Sequence, residues 1–376
     1  MDGNGDVVLE TEELLTPVSP VKIAEVFEAH RGERHVVVLQ NFPDPDAISS
    51  AFAHQLISSE FGIEVDILYN GRISHQQNIA LVKLLEIELI RYHESLDLSQ
   101  YNGAVFVDNQ GTTCAEIVEA LEAAGVPTLI VVDHHEQQER LKPVFSDIRR
   151  TGATATIYAE YLERGLVDLD KSRKSHVVAA TALMHGIMTD TGNFIRANAE
   201  DFHAAGYLSR FRDAGLLQQI VSQSRSKAAM EIIRQSLGNR VIVEGFSIAG
   251  IGYLRAEDRD TIPQAADFLL TEENVHTAIV YGIVTGDDEQ DETLVGSMRT
   301  SKITIDPDEF IKEVFGKNAA GHYFGGGKPS AGGFEIPIGF LSGEYSEEYR
   351  ELKWQVFDGQ IKQKLFDKIG VKRSAT

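Results

Sequence analysis

The stretch LQNFPDPDAISSAF, residues 39–52, directly follows the apolar run VVV at 36–38. Pro43 and Pro45 each fix their own φ angle and push the preceding residue toward extended geometry. Because residues two apart in an extended chain point the same way, Asp44 and Asp46 are predicted to leave the strand end as a parallel pair. A plain turn would explain these prolines and aspartates equally well, so the rest of the chain decides between a turn and a site.

Short β-rich runs alternate with helical stretches over the first 210 or so residues. The strand candidates are HVVVLQ (35–40), EVDILY (64–69), GAVFVDN (103–109) and TLIVVDHH (128–135). Near-continuous apolar strands that alternate with helices indicate an α/β fold, with a parallel sheet covered by helices on both faces. Ligands of such sheets lie beyond the carboxyl ends of the strands. Three of the four strands lead into aspartates at that edge: Asp44 and Asp46, Asp108, and Asp133.

The pattern also predicts how the chain is divided. The first domain is expected to span residues 21–215, after an acidic extension at 1–20. A helical linker is predicted at 216–238, and a smaller mixed α/β domain with a glycine-rich loop (320–334) at 239–343. Residues 344–376 are expected to contain an amphipathic helix. Its predicted apolar face comprises Tyr349, Leu352, Val356, Ile361, Leu365 and Ile369.

Composition places the chain among globular proteins and restricts its partners. The 376 residues suffice for two domains with a core each. The sequence has no run of 18 apolar residues, its acidic N-terminus lacks the basic start of a secretory signal, and Cys114 is its only cysteine. We therefore expect a cytoplasmic protein without a membrane span or an intrachain disulfide. The net charge of −22 argues against binding of long duplex nucleic acid, but it allows a small phosphate ligand.

Seven polar side chains are predicted to meet at the sheet edge: Asp44, Asp46, Asp108, Asp133, His134, His135 and, from MHGIMTDTGNF at 184–194, Asp190. Several carboxylates at one partly buried edge cannot all stay ionised unaided, so either some are protonated or cations bind among them. Aspartate with imidazole suits Mn²⁺, Mg²⁺ or Zn²⁺, and the absence of thiolates weakens the case for a structural zinc site. Seven groups are more than one ion needs, so two ions that share a bridging carboxylate fit better.

The segments DPDAISS, VDNQ, VVDHH and GIMTDTGNF, in that order and spacing, resemble the four motifs of the DHH phosphoesterase superfamily. The segment GGGKPSAGGF and the upstream MRTS resemble the DHHA1 substrate-binding domain that follows in one branch. The arrangement is similar to the nano-RNase (oligoribonuclease) and pAp-phosphatase group, whose members cleave very short oligoribonucleotides or dephosphorylate 3′-phosphoadenosine-5′-phosphate (pAp). The resemblance implies a metal-dependent phosphoesterase with short oligonucleotides or small nucleotides as partners. It also implies two Mn²⁺ ions as cofactors, with Mg²⁺ as the alternative.

The resemblance further implies a role for each residue of the cluster. One ion would be held by Asp44 and Asp108, and the other by Asp46, Asp108, His134 and Asp190, so that Asp108 bridges the two ions. His135 would face the scissile phosphate or the leaving group, and Asp133 would orient the neighbouring imidazole. In the second domain the implied substrate-binding residues are Gly325, Gly326, Gly327, Lys328 and Arg299. The glycines would bring backbone N–H groups close to a phosphate, and the two cations would add charge.

Two positions depart from the family pattern. Gln40 stands where the family usually has a histidine, and its neutral amide would be a weaker ligand of the first metal ion. Lys328 stands where the glycine-rich loop usually has a histidine. His75 and His185 are candidates to compensate, although a surface role and a packing role are more typical of such residues, and His322 is open in the same way.

Other functions stay open at this point. A cyclic- or linear-dinucleotide phosphodiesterase is close in chemistry, whereas an inorganic pyrophosphatase would share only the motifs of the first domain. A nucleotide-binding regulator that lost turnover through the change at Gln40 is a third alternative. The sequence leaves both a monomer and a homodimer open.

Overall fold

A computed structural model describes residues 20–73, 76–223, 225–286, 292–343 and 347–371. The predicted extension at 1–20 lies almost entirely outside the described residues, and so does His75. The chain forms two compact units, Met1–Gln223 and Ser224–Thr376. None of the helices in the described ranges combines the length and apolarity needed to cross a membrane.

The first unit is built on a six-stranded sheet in the order β3-β2-β1-β4-β5-β6. Its strands are β1 (Arg34–Val38), β2 (Glu64–Tyr69), β3 (Ile90–Arg91), β4 (Gly103–Val107), β5 (Thr128–Asp133) and β6 (Phe145–Ile148). All neighbouring strands are parallel. The predicted α/β class is therefore confirmed, and the edge strands β3 and β6 were too short for the sequence pattern to reveal.

Helices cover both faces of this sheet. They are α1 (Pro20–Ala29), α2 (Pro45–Glu60), α3 (Gln76–Leu84), α4 (Ala115–Ala123), α5 (Thr154–Glu163), α6 (Lys174–Asp190), α7 (Ala199–Leu208) and α8 (Ala214–Val221). Successive side chains of a strand point to opposite faces. Val37 and Val105 accordingly pack into the larger core with α2, α5 and α6. Val36 and Phe106 pack into a second core with α4.

The strand order places the predicted site residues at one point of the sheet. Strands β2 and β4 flank β1 on opposite sides, so the winding direction of the chain reverses between β1 and β4. A crevice forms beyond the carboxyl ends of the strands at such a point, and ligands bind there. Asp44 and Asp46 follow β1, and Asp108 follows β4.

The local geometry of the opening stretch differs from the prediction. Asp44 is extended (φ −93°, ψ 178°) as predicted, but it is the N-cap of α2, with Pro45 in the first helical position. Asp46 is thus helical, and the two aspartates are not a parallel pair on an extended strand. Phe42 also departs from the expected extended geometry, because its φ is +59°. Such a value is rare for a bulky residue and occurs mostly at constrained turns and sites.

The second unit is a mixed sheet in the order β11-β12-β10-β9-β8-β7. Its strands are β7 (Val241–Val243), β8 (Phe246–Arg255), β9 (Thr277–Thr285), β10 (Glu292–Thr300), β11 (Gly325–Lys328) and β12 (Ala331–Pro337). Among the described strands of this second unit, only β8 and β9 pair in parallel. Helices α9 (Lys227–Asn239) and α10 (Thr261–Leu269) share one core with the sheet, and α11 (Pro307–Phe315) and α12 (Glu347–Ile369) share the other.

Three predicted segments take a different form in the structure. The linker predicted at 216–238 is divided between α8 of the first unit and α9 of the second. Most of the predicted glycine-rich loop is the hairpin of β11 and β12. In α12, Ile361 and Leu365 are buried as predicted, but Tyr349, Leu352 and Val356 are 45%, 54% and 58% exposed. The buried side of α12 is therefore rotated from the predicted one in the first half of the helix.

Candidate metal centre

The side chain of Gln40 lies between two carboxylates at the carboxyl edge of the sheet. Its Nε2 donates to Asp44 Oδ2 at 3.3 Å and to Asp108 Oδ2 at 3.5 Å. The other oxygen of Asp44 caps α2 by accepting from the backbone N–H of Ala47 at 3.0 Å. Burial, followed by the nearby charge of Asp190, raises the pKa of Asp44. Gln40 and Asp44 are thus adjacent, as predicted, while a ligand role for Gln40 stays a prediction.

Asp46 lies in the first turn of α2, and its fully buried side chain contacts the N-terminus of α5. Its two oxygens accept from the backbone N–H groups of Thr154 and Ala155, each at 2.7 Å. A helix N-terminus favours negative charge. Burial nevertheless dominates, and together with the charge of Asp190 it raises the pKa of Asp46 to about 8. A carboxylate at this position needs a further positive partner to be fully ionised.

Asp108 occupies the left-handed backbone region, with φ +59°. The turn that holds it is fixed by Asn109, whose amide donates to Val38 O at 3.0 Å and to Val107 O at 2.9 Å. Asp108 Oδ1 accepts from the Thr154 hydroxyl at 2.9 Å. Burial, followed by the neighbouring carboxylates of Asp46 and others, raises the pKa of Asp108 well above its usual value.

His134 points one ring nitrogen into the group of carboxylates. Its Nε2 lies 3.9 Å from Asp46 Oδ2, 3.6 Å from Asp108 Oδ1 and 3.3 Å from Asp190 Oδ2. This nitrogen is buried and forms no hydrogen bond of good geometry. Its other nitrogen, Nδ1, lies 3.2 Å from the carbonyl oxygen of Thr151, which orients the ring. Burial alone would lower the pKa of His134, but Asp190 and Asp46 outweigh it and raise the pKa to about 9.

His135 is held by Asp133 and is more exposed than His134. Asp133 Oδ1 lies 2.8 Å from His135 Nδ1, and the amide of Gln110 donates to Asp133 Oδ2 at 2.7 Å. Burial would raise the pKa of Asp133, but the hydrogen bonds from His135 and Gln110 hold the pKa below its usual value. Asp133 is therefore a carboxylate that positions an imidazole rather than one that faces the other acids.

The arrangement fits divalent cations. The ligand atoms of Asp46, His134 and Asp190 lie within 4.8 Å of one another, and so do those of Asp108, His134 and His135. The carboxyl groups of Asp46 and Asp108, both with raised pKa values, and that of Asp190 surround the buried Nε2 of His134. Oxygen and imidazole ligands suit Mn²⁺, Mg²⁺ and Zn²⁺. Cations at this place would neutralise the acids and take the place of the proton on His134 Nε2.

Sequence analysis missed several residues that build this centre. Thr154 supplies both a hydroxyl and a backbone N–H, and Ala155 supplies a second N–H. Backbone donors leave no trace in residue type, so no sequence signal could have identified them. Asn109 and Gln110 do stand in the quoted motif VDNQ, and their amides at the end of β4 were a usable signal.

The predicted substrate-binding residues of the second unit are only partly together. A cleft of about 570 Å³ is lined by Arg299, Gly325 and Gly326, with Arg259 and Tyr323. The guanidinium of Arg299 donates to Asp267 at 2.7 Å and to Ser297 at 2.8 Å.

Gly327 and Lys328 do not line this cleft. The N–H of Gly327 donates to Asp308 Oδ1 at 3.0 Å, and Lys328 is exposed at the edge strand. The N–H of Gly327 is therefore already bonded within the protein, and a role of this residue in substrate binding stays a prediction. His185, a candidate to compensate for Gln40, is buried within α6 of the first unit, and His322, which was left open, is exposed in the second unit.

Comparison with protein families identifies the first unit. Residues 35–187 match the DHH family, N-terminal domain. Over these residues the chain is similar to the N-terminal domain of that family's proteins, and the match extends only from 35 to 187. The resemblance of the motifs in this unit to the DHH superfamily is thereby confirmed, whereas the resemblance to the nano-RNase and pAp-phosphatase group stays a prediction.

Several curated proteins are similar to the chain. An uncharacterised protein of Methanocaldococcus jannaschii is 33% identical over 88% of this chain and 63% of its own length. The cyclic-di-AMP phosphodiesterase PdeA of Listeria monocytogenes is 31% identical over 47% of this chain and 26% of its own length. A probable manganese-dependent inorganic pyrophosphatase of Bacillus cereus is 30% identical over 36% of this chain and 42% of its own length. The chain thus spans less than two thirds of each of these relatives.

A solved structure shares the fold over both units. An exopolyphosphatase-related protein from Bacteroides fragilis superposes with a TM-score of 0.64 at 19% identity. The match covers 91% of this chain and 97% of that protein. At this identity the similarity shows the fold alone.

Proposed function

We propose that the protein is a divalent-metal-dependent phosphoesterase that hydrolyses short oligonucleotides, 3′-phosphoadenosine-5′-phosphate, or both. The observation that carries this proposal is the buried Nε2 of His134, which lies 3.3 to 3.9 Å from the carboxylates of Asp46, Asp108 and Asp190 without a hydrogen bond of good geometry. Buried like charges of this kind are typical of sites that bind cations. The DHH-family match over residues 35–187 supports the reaction class.

The cluster would hold two cations, with Mn²⁺ as the expected metal and Mg²⁺ as the alternative. Asp44 and Asp108 would hold the first ion with help from Gln40, and Asp46, Asp108, His134 and Asp190 would hold the second. Bound there, the ions would supply an acidified water and neutralise the oxygens of the attacked phosphate. The manganese-dependent pyrophosphatase among the relatives supports the choice of metal.

His135 would act on the substrate rather than on the ions alone. Its Nδ1 is engaged by Asp133, so Nε2 of the ring is the nitrogen that can reach a scissile phosphate or a leaving oxygen. Asp133 keeps its own charge through the bonds from His135 and Gln110. It fixes the orientation of the ring, so that the other nitrogen can form a hydrogen bond to a phosphate oxygen or to the leaving oxygen. Asp133 is a positioning residue in this scheme.

The cleft of the second unit would itself bind a small nucleotide or phosphate ligand. Arg259 and Arg299 line this cleft, paired with Glu335 and Asp267, so an anionic ligand would have to compete with these carboxylates. Lys312 and Lys317 lie over the half-exposed ring of Tyr323 and add positive charge beside it. Arginine suits phosphate because its planar group donates two parallel hydrogen bonds. Gly327 is no longer part of this scheme, because its N–H is already used by Asp308.

A dinucleotide substrate is the second candidate. The similarity to the cyclic-di-AMP phosphodiesterase of Listeria monocytogenes favours a cyclic or linear dinucleotide over a longer strand. A weakened enzyme that serves as a nucleotide-binding regulator is the third. It rests on Gln40, where a neutral amide replaces an imidazole at the first ion.

A substrate panel tests the proposal. The full chain would be incubated with Mn²⁺ and with di- to decanucleotides, 3′-phosphoadenosine-5′-phosphate, cyclic di-AMP and pyrophosphate, and products would be resolved by chromatography. Hydrolysis that falls steeply beyond a few nucleotides, stops with a chelator and returns with Mn²⁺ would support the proposal. Hydrolysis of cyclic di-AMP alone would select the second candidate, and binding of nucleotides without hydrolysis would select the third.

A further inference from the structure

A second group of potential metal ligands lies at the opposite end of β1. His30 directly follows α1, Glu33 precedes β1, and His35 is the second residue of that strand. The sequence HRGERH at 30–35 thus carries two imidazoles and one carboxylate within six residues. This end of β1 is its amino terminus. The metal centre described above, here called the DHH cluster, lies beyond the carboxyl terminus of β1 and consists of Asp44, Asp46, Asp108, Asp133, His134, His135 and Asp190. The two groups share no residue.

The backbone of this segment is fixed at both ends. Gly32 has φ +76°, a left-handed value that suits glycine and closes a tight turn. The N–H of Glu33 donates to His30 O at 3.2 Å, and the carbonyl of Glu33 accepts from Glu64 N at 3.0 Å. Because His35 lies two residues after Glu33 in an extended chain, both side chains point the same way. The turn returns His30 to the same side.

The three side chains converge on one point. His30 Nδ1 lies 2.8 Å from Glu33 Oε2, and His35 Nε2 lies 3.1 Å from the same oxygen. All three ligand atoms lie within 4.8 Å of one another. His35 is 1% exposed, whereas the side chains of His30 and Glu33 are 24% and 32% exposed. One side of the group is therefore closed by the core and the other is open to water.

The neighbouring arginine side chains do not pair with Glu33. Arg31 forms an ion pair with Glu28, and Arg34 pairs with Asp66 at 2.8 Å. The carboxylate of Glu33 therefore has only the two imidazoles as partners among the ion pairs of this segment. A cation between the three ligand atoms would replace the two imidazole protons that now face Glu33.

We propose that His30, Glu33 and His35 form a zinc site that is separate from the DHH cluster. Two imidazoles and one carboxylate with a solvent-filled fourth position are a common ligand set for Zn²⁺. Imidazole-rich sites select Zn²⁺ over Mn²⁺ and Mg²⁺, which prefer the carboxylate-rich cluster at the other end of β1. The bound ion joins the end of α1 to the start of β1 and so closes the amino-terminal side of the sheet.

Metal stoichiometry tests this site. The full-length wild-type protein, His30→Ala and Glu33→Gln would be stripped of metal, saturated with Mn²⁺, and then titrated with Zn²⁺ by calorimetry, with bound metals counted by mass spectrometry. His93→Ala is the matched control, because His93 is an exposed histidine of the same unit that contacts Ser95. Both test positions are partly exposed, and circular dichroism checks that each variant is folded.

The expected result is the loss of one equivalent of Zn²⁺ in His30→Ala and in Glu33→Gln, but not in His93→Ala. The Mn²⁺ content should be the same in all four proteins. Equal Zn²⁺ stoichiometry in the wild type and both variants would overturn the proposal and would leave a hydrogen-bonded triad only. A simultaneous loss of Mn²⁺ would overturn the separation of the two sites.

Discussion

The side-chain nitrogen of Gln40 donates a hydrogen bond to the carboxylate of Asp44 over 3.3 Å. This contact places a neutral amide where the DHH family usually has an imidazole. Rotation of the amide by 180° would turn its oxygen toward the same space and offer a ligand to a cation. An amide oxygen is a weaker donor than an imidazole nitrogen, so the first ion is expected to bind more weakly than the second.

Replacement of Gln40 tests this expectation. Gln40→His should lower the Mn²⁺ concentration needed for half-maximal rate, because it supplies a stronger ligand to the first ion. Gln40→Ala should raise that concentration by roughly 10–100-fold, the usual effect of losing a supporting metal contact. The second ion, which Gln40 does not contact, should stay bound in both variants. Unchanged Mn²⁺ activation curves in both variants would mean that Gln40 does not contact a metal.

Asp108→Asn should abolish turnover without unfolding the protein. Asp108 is the predicted bridge between the ions, and its loss should reduce the rate by more than about 100-fold, since outer contacts of metal ligands already cost 10–100-fold. The fold should survive because the substitution removes a charge from a crowded acidic group. Asp168→Asn, at an exposed aspartate of the same unit, is the control. Full activity of Asp108→Asn would refute the bridging role.

The metal-free protein should lose stability as the pH rises. Burial and Asp190 raise the pKa of Asp46 to about 8, whereas its ordinary value is 3.8. A carboxyl group whose folded pKa is raised stabilises the fold below its unfolded pKa, and this contribution disappears as the pH rises through the folded pKa. Urea unfolding in the presence of a chelator should therefore show a falling free energy of unfolding between about pH 4 and pH 8.

Asp46→Asn separates this effect from other titrations. The amide cannot ionise, so the decline of the unfolding free energy with pH should be shallower than in the wild type. Only the slope is compared, because the amide also meets the N–H donors of Thr154 and Ala155 less well than a carboxylate does. Identical slopes in the two proteins would show that Asp46 does not carry the pH dependence.

The cleft of the second unit gives a prediction for substrate binding. Arg299→Ala should raise KM and leave the metal content unchanged, since each lost bond to a charged phosphate costs about 1.5–3 kcal/mol. Lys328→Ala should have a smaller effect, because Lys328 does not line the cleft. Steady-state kinetics on the best substrate of the panel would measure both. A loss of bound metal with an unchanged KM in Arg299→Ala would mean that the cleft does not bind substrate.

Much of the first unit follows from the sequence alone. The strands around Val37, Val105 and Val132 are apolar on both faces, and only a sheet covered by helices on both sides satisfies that pattern. The positions of Asp44, Asp108 and Asp133 then follow from parallel strand direction, because all carboxyl ends share one edge.

The tertiary structure alone decided how the acids of that edge are used. Asp133 and Asp108 both lie at the carboxyl end of a strand, but Asp133 accepts four protein hydrogen bonds and keeps its charge, while Asp108 is crowded by carboxylates. These opposite pKa shifts depend on burial and on partners from distant parts of the chain, such as Asp46 for Asp108 and Gln110 for Asp133. The hydrogen bond from the Gly327 N–H to Asp308 likewise depends on a residue that is distant in sequence. Residue type and spacing locate a side chain on a helix or strand. Its charge and the hydrogen bonds still available to it depend on the residues that folding brings into contact with it.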